Sequence, residues 1–338
     1  MKKVIIVTGA AGLIGSNIIK TLNEKGINNI LAVDNLERAD KFYNLTDCII
    51  ADYLDKREFI QLIESDSLDR NIRAVLHQGA CSDTMEHNGR YMMDNNFRYT
   101  TKLFEYCQDR EIPLVYASSA AVYGGNTTFK EDPSCEAPLN VYGYSKLAFD
   151  QYFRSHVHET GLTAPCVGLR YFNVYGPREQ HKGRMASVAY HFYNQYVENG
   201  FIKLFEGCDG YGNGEQRRDF ISIEDVVKVN LWFLDHPEVS GIFNVGTGVS
   251  RTFNDIAVAT LNAIRATEGD DEISLEEMRE RNLIQYIPFP EALKGKYQSF
   301  TEANISSLRA AGYQHDFLDV NEGAAHYVAK RRGALIKE

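Results

Sequence analysis

The fold is decided at the start of the chain, where Val4-Ile5-Ile6-Val7-Thr8 runs directly into Gly9-Ala10-Ala11-Gly12-Leu13-Ile14-Gly15. The first run is short, apolar and rich in β-branched residues, which predicts a buried β-strand. The second has the spacing G-x-x-G-x-x-G and opens Leu13–Lys25, where apolar residues recur at helical spacing. Glycines between a strand and a helix let the backbone approach a pyrophosphate, whose charge the free N–H groups and the helix dipole can hold. The stretch therefore predicts a dinucleotide site.

The second predicted strand, Ile30–Asp34, ends in an acid. Asp34 stands where a carboxylate can accept a hydrogen bond from the 2′-hydroxyl of an adenosine ribose, which favours NAD. Arg38, Lys41 and Lys56 follow it, and unless they are solvated surface cations they could neutralise the 2′-phosphate of NADP. Charge alone leaves the two cofactors nearly equal.

Strand-like and helical runs alternate through the first half of the chain. The further predicted strands are Asp47–Ala51, Arg73–His77, Pro113–Ser118 and Ala164–Tyr171, and the further predicted helices are Lys56–Glu64, Asn96–Arg110 and Val141–Thr160. The strand runs are continuously apolar, which is typical of a parallel sheet covered on both faces. The pattern predicts a Rossmann-type, doubly wound α/β fold.

The alternation loosens after Asn173. The later predicted elements are an aromatic-rich helix at Met185–Asn199, a glycine-rich loop at Gly207–Gln216 and a strand at Arg218–Ile223. They are followed by a helix at Ile223–Asp235, a strand at Gly241–Val245 and an acidic solvated helix or insertion at Ala266–Arg281. We predict a dinucleotide-binding domain of residues 1–172, completed by about 216–248. Residues 173–215 and 249–338 would form a smaller α/β substrate-binding domain.

Composition excludes several classes of protein. The 338 residues carry a formal net charge of −10, with 44% hydrophobic and 24% charged residues, which is typical of a globular rather than a disordered chain. The acidic balance argues against a nucleic-acid partner, and no apolar run reaches the roughly 18 residues that cross a bilayer. The six cysteines form no C-x-x-C pair, so we expect reduced thiols, a cytoplasmic protein and no metal site.

Tyr142 and Lys146 stand four residues apart, which places them on one face of the predicted helix Val141–Thr160. The pKa of a tyrosine, about 10, is too high for a base at neutral pH, but a neighbouring ammonium can lower it and make Tyr142 a general base toward an alcohol. Ser119, at the end of a predicted strand, could hydrogen-bond the same substrate oxygen. An isolated pair of this kind is more often an exposed helix face, but the preceding dinucleotide pattern favours catalysis.

These features together resemble the extended short-chain dehydrogenase/reductase superfamily, whose known members mostly act on nucleotide-activated sugars. The segments that carry the resemblance occur in the order of that superfamily and are Gly9–Gly15, Ser119-x-x-x-Tyr123-Gly124, Tyr142-x-x-x-Lys146, Arg170–Pro177, Arg218-Asp219-Phe220 and Phe243–Gly246.

Longer strings are similar to the ADP-L-glycero-D-manno-heptose 6-epimerase family. They are His77–Ser82, Tyr91–Asn96, Pro138–Lys146, Gly176–Gly183, Met185–Ala189, Leu204–Gly207 and Tyr286–Pro290. The resemblance implies that bound NADP takes a hydride from C6 of an ADP-heptose, giving a transient ketone, and returns it to the opposite face. It also implies a homo-oligomer, a pentamer by analogy with the family, that supplies heptose for the lipopolysaccharide core.

The resemblance assigns roles to individual residues. It implies that Tyr142 is the base, Lys146 its electrostatic and ribose-binding partner, and Lys182 the second acid/base group or a contact to a substrate phosphate. For the cofactor it favours NADP, held by Gly9, Gly12, Leu13, Ile14, Gly15, Asp34, Asn35, Lys41, Lys56, Gln78, Gly79, Ala80, Cys81, Ser82, Asn95, Lys146, Val174 and Lys182. For the substrate it implies Asn173, Arg184, His191, Phe205, Glu206, Gly207, Cys208, Arg218 and Tyr297.

The chain departs from that family at Gln78, Cys208 and Arg184, where an acid, a serine and a small polar residue are usual. Other functions stay open. A 4,6-dehydratase usually carries an Asp-Glu pair after the serine, whereas this chain has Ala120-Ala121 and lacks the acid and base for elimination. A nucleotide-hexose 4-epimerase would use the same three residues, Ser119, Tyr142 and Lys146. A non-catalytic NADP-binding sensor would not need them.

Overall fold

The computed structural model describes residues 3–291 and 297–335; the outermost residues of the predicted domain ranges, 1–2 and 336–338, lie outside the described residues. The strands within that part of the chain are β1 (Val4–Thr8), β2 (Ile30–Asp34), β3 (Asp52–Asp55), β4 (Ile72–His77), β5 (Leu114–Ser119), β6 (Cys166–Tyr171), β7 (Asn173–Tyr175), β8 (Ile202–Phe205), β9 (Arg217–Arg218), β10 (Phe220–Ser222), β11 (Gly241–Val245), β12 (Arg251–Thr252) and β13 (Ile284–Ile287). The helices are α1 (Leu13–Glu24), α2 (Lys56–Glu64), α3 (Gly89–Met93), α4 (Tyr99–Asp109), α5 (Val141–Glu159), α6 (Val188–Asn199), α7 (Ile223–Asp235), α8 (Phe253–Glu268), α9 (Leu275–Glu280), α10 (Ser306–Ala310) and α11 (Val320–Leu335).

Seven parallel strands form the central sheet in the order β11-β6-β5-β4-β1-β2-β3. The order reverses between β1 and β4, which is the switch point where ligands bind at the carboxyl ends of the strands in open α/β sheets. The predicted Rossmann-type fold is confirmed.

Helices cover both faces of this sheet. Ile18, Ile19 and Leu22 of α1 are buried against one face in a core that also contains side chains of α7. On the other face, Phe104 of α4 and Phe149 of α5 pack with their ring centroids 6.0 Å apart. Both layers follow from apolar residues at helical spacing, which buries one stripe of each helix.

A separate apolar core lies outside the sheet. It joins α6, α8 and α11 with the parallel pair β8 and β13, and its buried members include Phe192, Leu204 and Ile256. These elements come mainly from the later part of the chain. The division into two domains stays a proposal, with this core at the centre of the smaller one.

The prediction of a strand at Asp47–Ala51 was wrong, because β3 begins at Asp52. There, the side chain of Asn23 makes the backbone hydrogen bonds that a neighbouring strand would otherwise make. Its amide donates to the Ile49 carbonyl at 2.9 Å and accepts from the Ile49 N–H at 2.7 Å. A side chain thus satisfies the backbone of an apolar run and keeps it out of the sheet.

Two of the predicted helices begin later in the structure than in the prediction. The predicted helix Asn96–Arg110 is preceded by α3 and a π-helical turn, Asp94–Arg98, before α4 begins. The predicted helix Met185–Asn199 begins only at Val188, where Ser187 caps α6, and residues Gln180–Met185 form a 3₁₀ segment instead.

The acidic stretch after α8 contains a turn at Gly269 and then α9. The six cysteines are free thiols. Across residues 3–291 and 297–335, we find no helix with the length and apolar character needed to cross a membrane.

Candidate active site

The glycine turn is shaped for a close backbone approach. Gly9 has a φ of +63°, and a Cβ there would lie 2.7 Å from the Gly79 nitrogen. A Cβ on Gly15 would lie 2.2 Å from the Gly9 carbonyl oxygen. Helix α1 begins after Gly12 without a side-chain cap, so the N–H groups of its first turn are left for a ligand. This geometry fits the pyrophosphate of a dinucleotide.

The turn opens into a cavity of about 910 Å³ at the carboxyl ends of β1, β4, β5 and β6. Its size falls within the range of small-molecule and cofactor sites. One wall, here called the cofactor wall, consists of the turn and residues 34, 35, 37, 38, 41, 56, 78–84 and 95. The other wall, here called the substrate wall, consists of residues 173, 174, 181, 182, 184–188, 205, 218, 220, 253 and 297.

Asp34 is buried at the end of β2 and is fully engaged. Its carboxylate accepts hydrogen bonds from the N–H groups of Ala11 and Asn35, both at 2.7 Å, and forms an ion pair with Lys41. The Lys41 ammonium also donates to the Asn35 carbonyl at 2.9 Å. Lys41 and Asp34 therefore line the cavity side by side, where an adenosine ribose is expected.

The π-helical turn Asp94–Arg98 positions the loop after β4. Asn96 is buried there and holds the backbone of Cys81 on both sides, accepting from its N–H at 2.8 Å and donating to its carbonyl at 2.9 Å. Asn95, its neighbour, accepts from the Lys56 ammonium at 2.7 Å. Sequence reasoning missed Asn96, although single π turns often occur at functional sites.

Gln78 belongs to a polar network behind the turn. Its amide donates to Asn230 at 3.0 Å and accepts from the Tyr171 hydroxyl at 3.0 Å. These partners occupy both ends of the Gln78 side chain. The unusual amide at this position is thus explained by its hydrogen bonds inside the protein.

Ser119, Tyr142 and Lys146 meet in the cavity between β5 and α5. Asn140 caps α5 by accepting from the Gly143 N–H at 2.8 Å, which fixes the first turn that carries Tyr142. The Ser119 hydroxyl accepts from the Ala121 N–H at 3.1 Å and is close enough to Tyr142 to lower the pKa of its phenol. The Lys146 ammonium donates to the Ala117 carbonyl at 2.8 Å.

The protonation of this group differs from the prediction. Burial raises the pKa of Tyr142 above its ordinary value, and the hydrogen bond from Ser119 offsets only part of that effect. Burial also lowers the pKa of Lys146 to about 8, against the opposing effect of the Asp150 carboxylate. In the free protein, burial of the phenol is the largest influence on the pKa of Tyr142, and the Lys146 ammonium is bonded to the Ala117 carbonyl.

Lys182 lies on the substrate wall, in the 3₁₀ segment Gln180–Met185. Burial lowers the pKa of its ammonium, against the effect of the Glu179 carboxylate. Glu179 anchors this segment by accepting from the Ser187 N–H at 2.6 Å and from its hydroxyl at 2.7 Å. No ion pair or hydrogen bond to the Lys182 ammonium is found within residues 3–291 and 297–335.

Arg218 is a buried cation on the same wall. Its guanidinium lies 4.7 Å from the ring centroid of Tyr297, and burial lowers its pKa below the ordinary value. Within the described residues it forms no ion pair with a carboxylate. An arginine stays charged in proteins, so this cavity offers a buried positive charge to an anionic ligand.

The cavity brings together most of the predicted site residues. All four predicted catalytic residues and every predicted cofactor residue line it, as do Asn173, Arg184, Phe205, Arg218 and Tyr297. Arg184 also forms an ion pair with Asp83, at 2.9 Å, that joins the two walls.

Four predicted substrate residues, His191, Glu206, Gly207 and Cys208, do not line the cavity. His191 packs on α6 with its ring against Tyr190. Glu206 and Gly207 follow β8, and their backbone is hydrogen-bonded to Ile287 and Asn213. The Cys208 sulfur instead lies 3.4 Å from the amide nitrogen of Gln216.

Several cavity residues were not predicted. They include Thr8, Glu37, Asp83, Tyr91, Tyr99, His181, Met185, Phe220 and Phe253. Tyr91, His181, Met185 and Phe220 lie within strings already singled out, so proximity in sequence could have found them. Tyr99 and Phe253 come from separate elements that only the folded chain brings to the cavity.

Comparison with known proteins agrees with this geometry. The model of the NAD dependent epimerase/dehydratase family matches residues 5–246. The ADP-L-glycero-D-manno-heptose-6-epimerase of Thiobacillus denitrificans is 63% identical over 330 residues, which cover 98% of this chain and 99% of that protein.

Solved structures give the same result. The crystal structure of Helicobacter pylori ADP-L-glycero-D-manno-heptose-6-epimerase superposes with a TM-score of 0.80 at 29% identity, covering 98% of this chain and 96% of that chain. The Thermus thermophilus UDP-glucose 4-epimerase, a complex with NAD, has a TM-score of 0.75 at 25% identity, covering 98% and 99% of the two chains.

The chain therefore belongs to the NAD dependent epimerase/dehydratase family. Within that family, the chain is similar over nearly its whole length to the ADP-L-glycero-D-manno-heptose-6-epimerases of Thiobacillus denitrificans and Helicobacter pylori. The protein is an enzyme of the isomerase class, and its family and its cavity indicate a nicotinamide dinucleotide cofactor.

Proposed function

We propose that this protein inverts C6 of ADP-D-glycero-β-D-manno-heptose, giving ADP-L-glycero-β-D-manno-heptose, by transient oxidation and re-reduction with bound NADP. The observation that carries the proposal is a single cavity that holds Ser119, Tyr142 and Lys146 beside the glycine turn and Lys182 and Arg218 on the opposite wall. The identity of 63% to an enzyme named for this reaction supports the choice of substrate.

The cofactor, when bound, supplies a nicotinamide ring that can accept a hydride and return it, so the reaction has no net redox change. Tyr142 takes the proton of the C6 hydroxyl as the carbinol becomes a ketone, and Ser119 holds the same oxygen by a hydrogen bond. The raised pKa of Tyr142 means that the phenol is protonated in the free protein. It becomes a base only when positive charge and substrate complete the site.

Inversion requires that a proton reach the C6 oxygen when the carbonyl presents its other face. Lys182 supplies this second group from the substrate wall, opposite Tyr142. Its lowered pKa supports the role, because a general acid works best when its pKa is near the operating pH.

Arg218 binds the diphosphate of the ADP group in this proposal. A planar guanidinium can contact two phosphate oxygens at once. The rings of Phe205 and Tyr297 line the cavity beside it and give an apolar surface for the nucleoside. A buried arginine without a carboxylate partner is otherwise difficult to explain, since an unpaired buried charge lowers stability.

NADP is favoured over NAD because Lys41 stands beside Asp34 at the adenosine end of the cofactor wall. A 2′-phosphate there would meet an ammonium already held in place. Arg38 lines the cavity nearby and adds positive charge. Asp34 has three partners within the protein and is less available to a ribose hydroxyl.

We also propose that the protein works in the cytoplasm as a homo-oligomer, a pentamer by analogy with the family, and supplies heptose for the lipopolysaccharide core. The family resemblance supports this part of the proposal.

The direct test is to incubate the protein with NADP and ADP-D-glycero-β-D-manno-heptose and to follow the C6 proton signal by NMR. We expect conversion to the L-glycero epimer, and the same mixture of epimers from either starting compound. Conversion of UDP-glucose in place of the heptose would indicate a 4-epimerase. Tight NADP binding without any conversion would indicate a binding protein.

A further inference from the structure

One buried asparagine joins the two walls of the cavity. Asn44 lies in the 3₁₀ segment Ala39–Leu45 and is 1% exposed. Its amide nitrogen lies 2.9 Å from the carbonyl of Ala11, in the glycine turn, and 3.0 Å from the carbonyl of Arg178. The same nitrogen lies 3.1 Å from Nδ1 of His181. Its amide oxygen accepts from Gln180 at 2.8 Å.

The cofactor side of this junction is the part expected to contact the dinucleotide. Ala11 donates its N–H to Asp34, and Lys41 stands three residues before Asn44 in the same 3₁₀ segment. A phosphate bound by Lys41 or by the turn would thus act on a segment that contacts Asn44 directly.

The other side of the junction leads to Lys182. Asn44 contacts three of the four residues that precede Lys182, and the Lys182 N–H donates to the Glu179 carbonyl at 2.9 Å. Since the ammonium has no hydrogen bond or ion pair within the described residues, the path of its backbone decides where it lies.

The amide has fewer hydrogens than acceptors. An asparagine NH₂ group carries two donors. The carbonyls of Ala11 and Arg178 are two acceptors, and Nδ1 of His181 is a third in the tautomer that carries its hydrogen on Nε2. In that tautomer one hydrogen is shared between two of these contacts. A displacement of the turn therefore changes the bonds available to residues 178–181.

We propose that Asn44 is a positioning residue that sets the place of Lys182 and makes it depend on whether the cofactor site is filled. The proposal rests on the acid/base role proposed above for Lys182. A simple structural cross-link would stabilise both walls but would not connect cofactor binding to the Lys182 segment.

Hydrogen exchange tests the connection without any turnover. In the wild type, NADP should protect the amides of residues 9–15 and also those of residues 178–186. In Asn44→Ala the protection of residues 9–15 should persist and that of residues 178–186 should be lost. The matched control is Thr46→Val, at an exposed residue whose hydroxyl bonds only the Tyr43 carbonyl. Full protection of residues 178–186 in Asn44→Ala would overturn the proposal.

The pH profile of kcat gives a second readout. One limb of this profile should report the titration of Lys182. It is identified by comparison with Lys182→Met, in which that limb should be absent. Glu179 is the carboxylate that acts on Lys182. His181, the preceding residue, is acted on by Lys182 and, from the cofactor side, by Lys41, Asp34 and Asp40. In Asn44→Ala this limb should move to higher pH, because a looser segment lets water reach the ammonium.

The same variant should lower kcat roughly tenfold to a hundredfold, as expected for a misplaced catalytic group, with little change in the KM of the ADP-sugar. Asn44→Ser, which keeps one donor, should recover part of the loss and serves as the test if Asn44→Ala does not fold. A loss of rate with an unmoved limb contradicts the proposal. Failure of the wild type to convert the heptose would instead refute the proposed function, and the exchange experiment would still decide the role of Asn44.

Discussion

The two walls of the cavity differ in the partners of their charged side chains. On the cofactor wall, Asp34 is paired with Lys41, and Lys56 is bonded to Asn95. On the substrate wall, Arg218 and Lys182 have no carboxylate partner in the part of the chain that the structure describes. The charged groups named on the cofactor wall thus have partners within the protein when no ligand is bound. Arg218 and Lys182 on the substrate wall carry positive charge that an anionic ligand can neutralise.

This difference indicates how each wall binds. The cofactor wall relies on backbone shape, with Gly9 and Gly15 in places where a Cβ would collide with the chain. The substrate wall relies on side-chain charge in a desolvated place, where an interaction with a phosphate is stronger than in water. We infer that the cofactor wall gives affinity for dinucleotides in general and that the substrate wall selects the anionic sugar.

Removal of the Tyr142 hydroxyl should have the largest effect, because it lies where the walls meet. Tyr142→Phe should lower turnover by roughly 10²–10⁴, the range for a general acid/base, and leave NADP binding unchanged. NMR of the C6 proton and titration with NADP measure the two effects. Tyr144→Phe, two residues away and 51% exposed, is the control. A Tyr142→Phe enzyme of wild-type rate would place the base elsewhere.

Gly9→Ala tests whether the cofactor wall depends on backbone shape. A left-handed φ costs a residue with a Cβ roughly 1–2 kcal/mol, and the added methyl would also lie within 2.9 Å of the backbone of residues 78–79. We expect a lower thermal unfolding midpoint and a loss of NADP binding.

Gly26→Ala separates the two causes. Gly26 also has a positive φ, +79°, but a Cβ there meets nothing within 4 Å. It should lower stability by the backbone cost alone and leave NADP binding intact. Equal effects of the two substitutions would show that the close approach at Gly9 is unimportant.

The cofactor wall was largely predictable because its signals are local. A β-branched run, three glycines and an acid at the end of β2 lie within 34 residues, and each has a direct structural reason. The sheet followed from the same alternation. The error at Asp47–Ala51 arose because the side chain of Asn23 satisfies that backbone, and apolar pattern carries no information about such a bond.

The substrate wall was predicted less completely, because distant segments form it. The bond of Asn44 to His181 joins residues 137 positions apart, and no local pattern records it. His191 and Cys208 came from a family resemblance, and in this structure neither lines the cavity. The raised pKa of Tyr142 was also unpredictable, since it depends on burial by elements far apart in the chain.

Lys41→Glu tests the charge of the cofactor wall. It should weaken NADP by roughly tenfold to a hundredfold, the equivalent of a charged hydrogen bond of about 1.5–3 kcal/mol, and weaken NAD much less. Parallel titrations with the two cofactors measure the ratio. Lys102→Glu is a suitable control, because Lys102 is exposed, pairs with Glu64 on the surface and does not line the cavity. An equal loss for both cofactors would remove the argument for a 2′-phosphate contact.

Arg218→Met tests the other wall, where the guanidinium donates to the Arg217 carbonyl at 3.1 Å but has no carboxylate partner among the described residues. Replacing this buried charge by an apolar side chain of similar length should raise the stability of the free protein by about 1 kcal/mol. It should also raise the KM for the ADP-sugar roughly tenfold, through loss of a charged hydrogen bond.

Arg217→Met is the matched control, because the neighbouring guanidinium donates to the Ser250 hydroxyl at 3.0 Å and to its carbonyl at 2.7 Å. That substitution should lower stability and leave KM unchanged, since Arg217 does not line the cavity. A less stable Arg218→Met protein with an unaltered KM would mean that Arg218 supports the fold and that the walls do not differ in the way argued here.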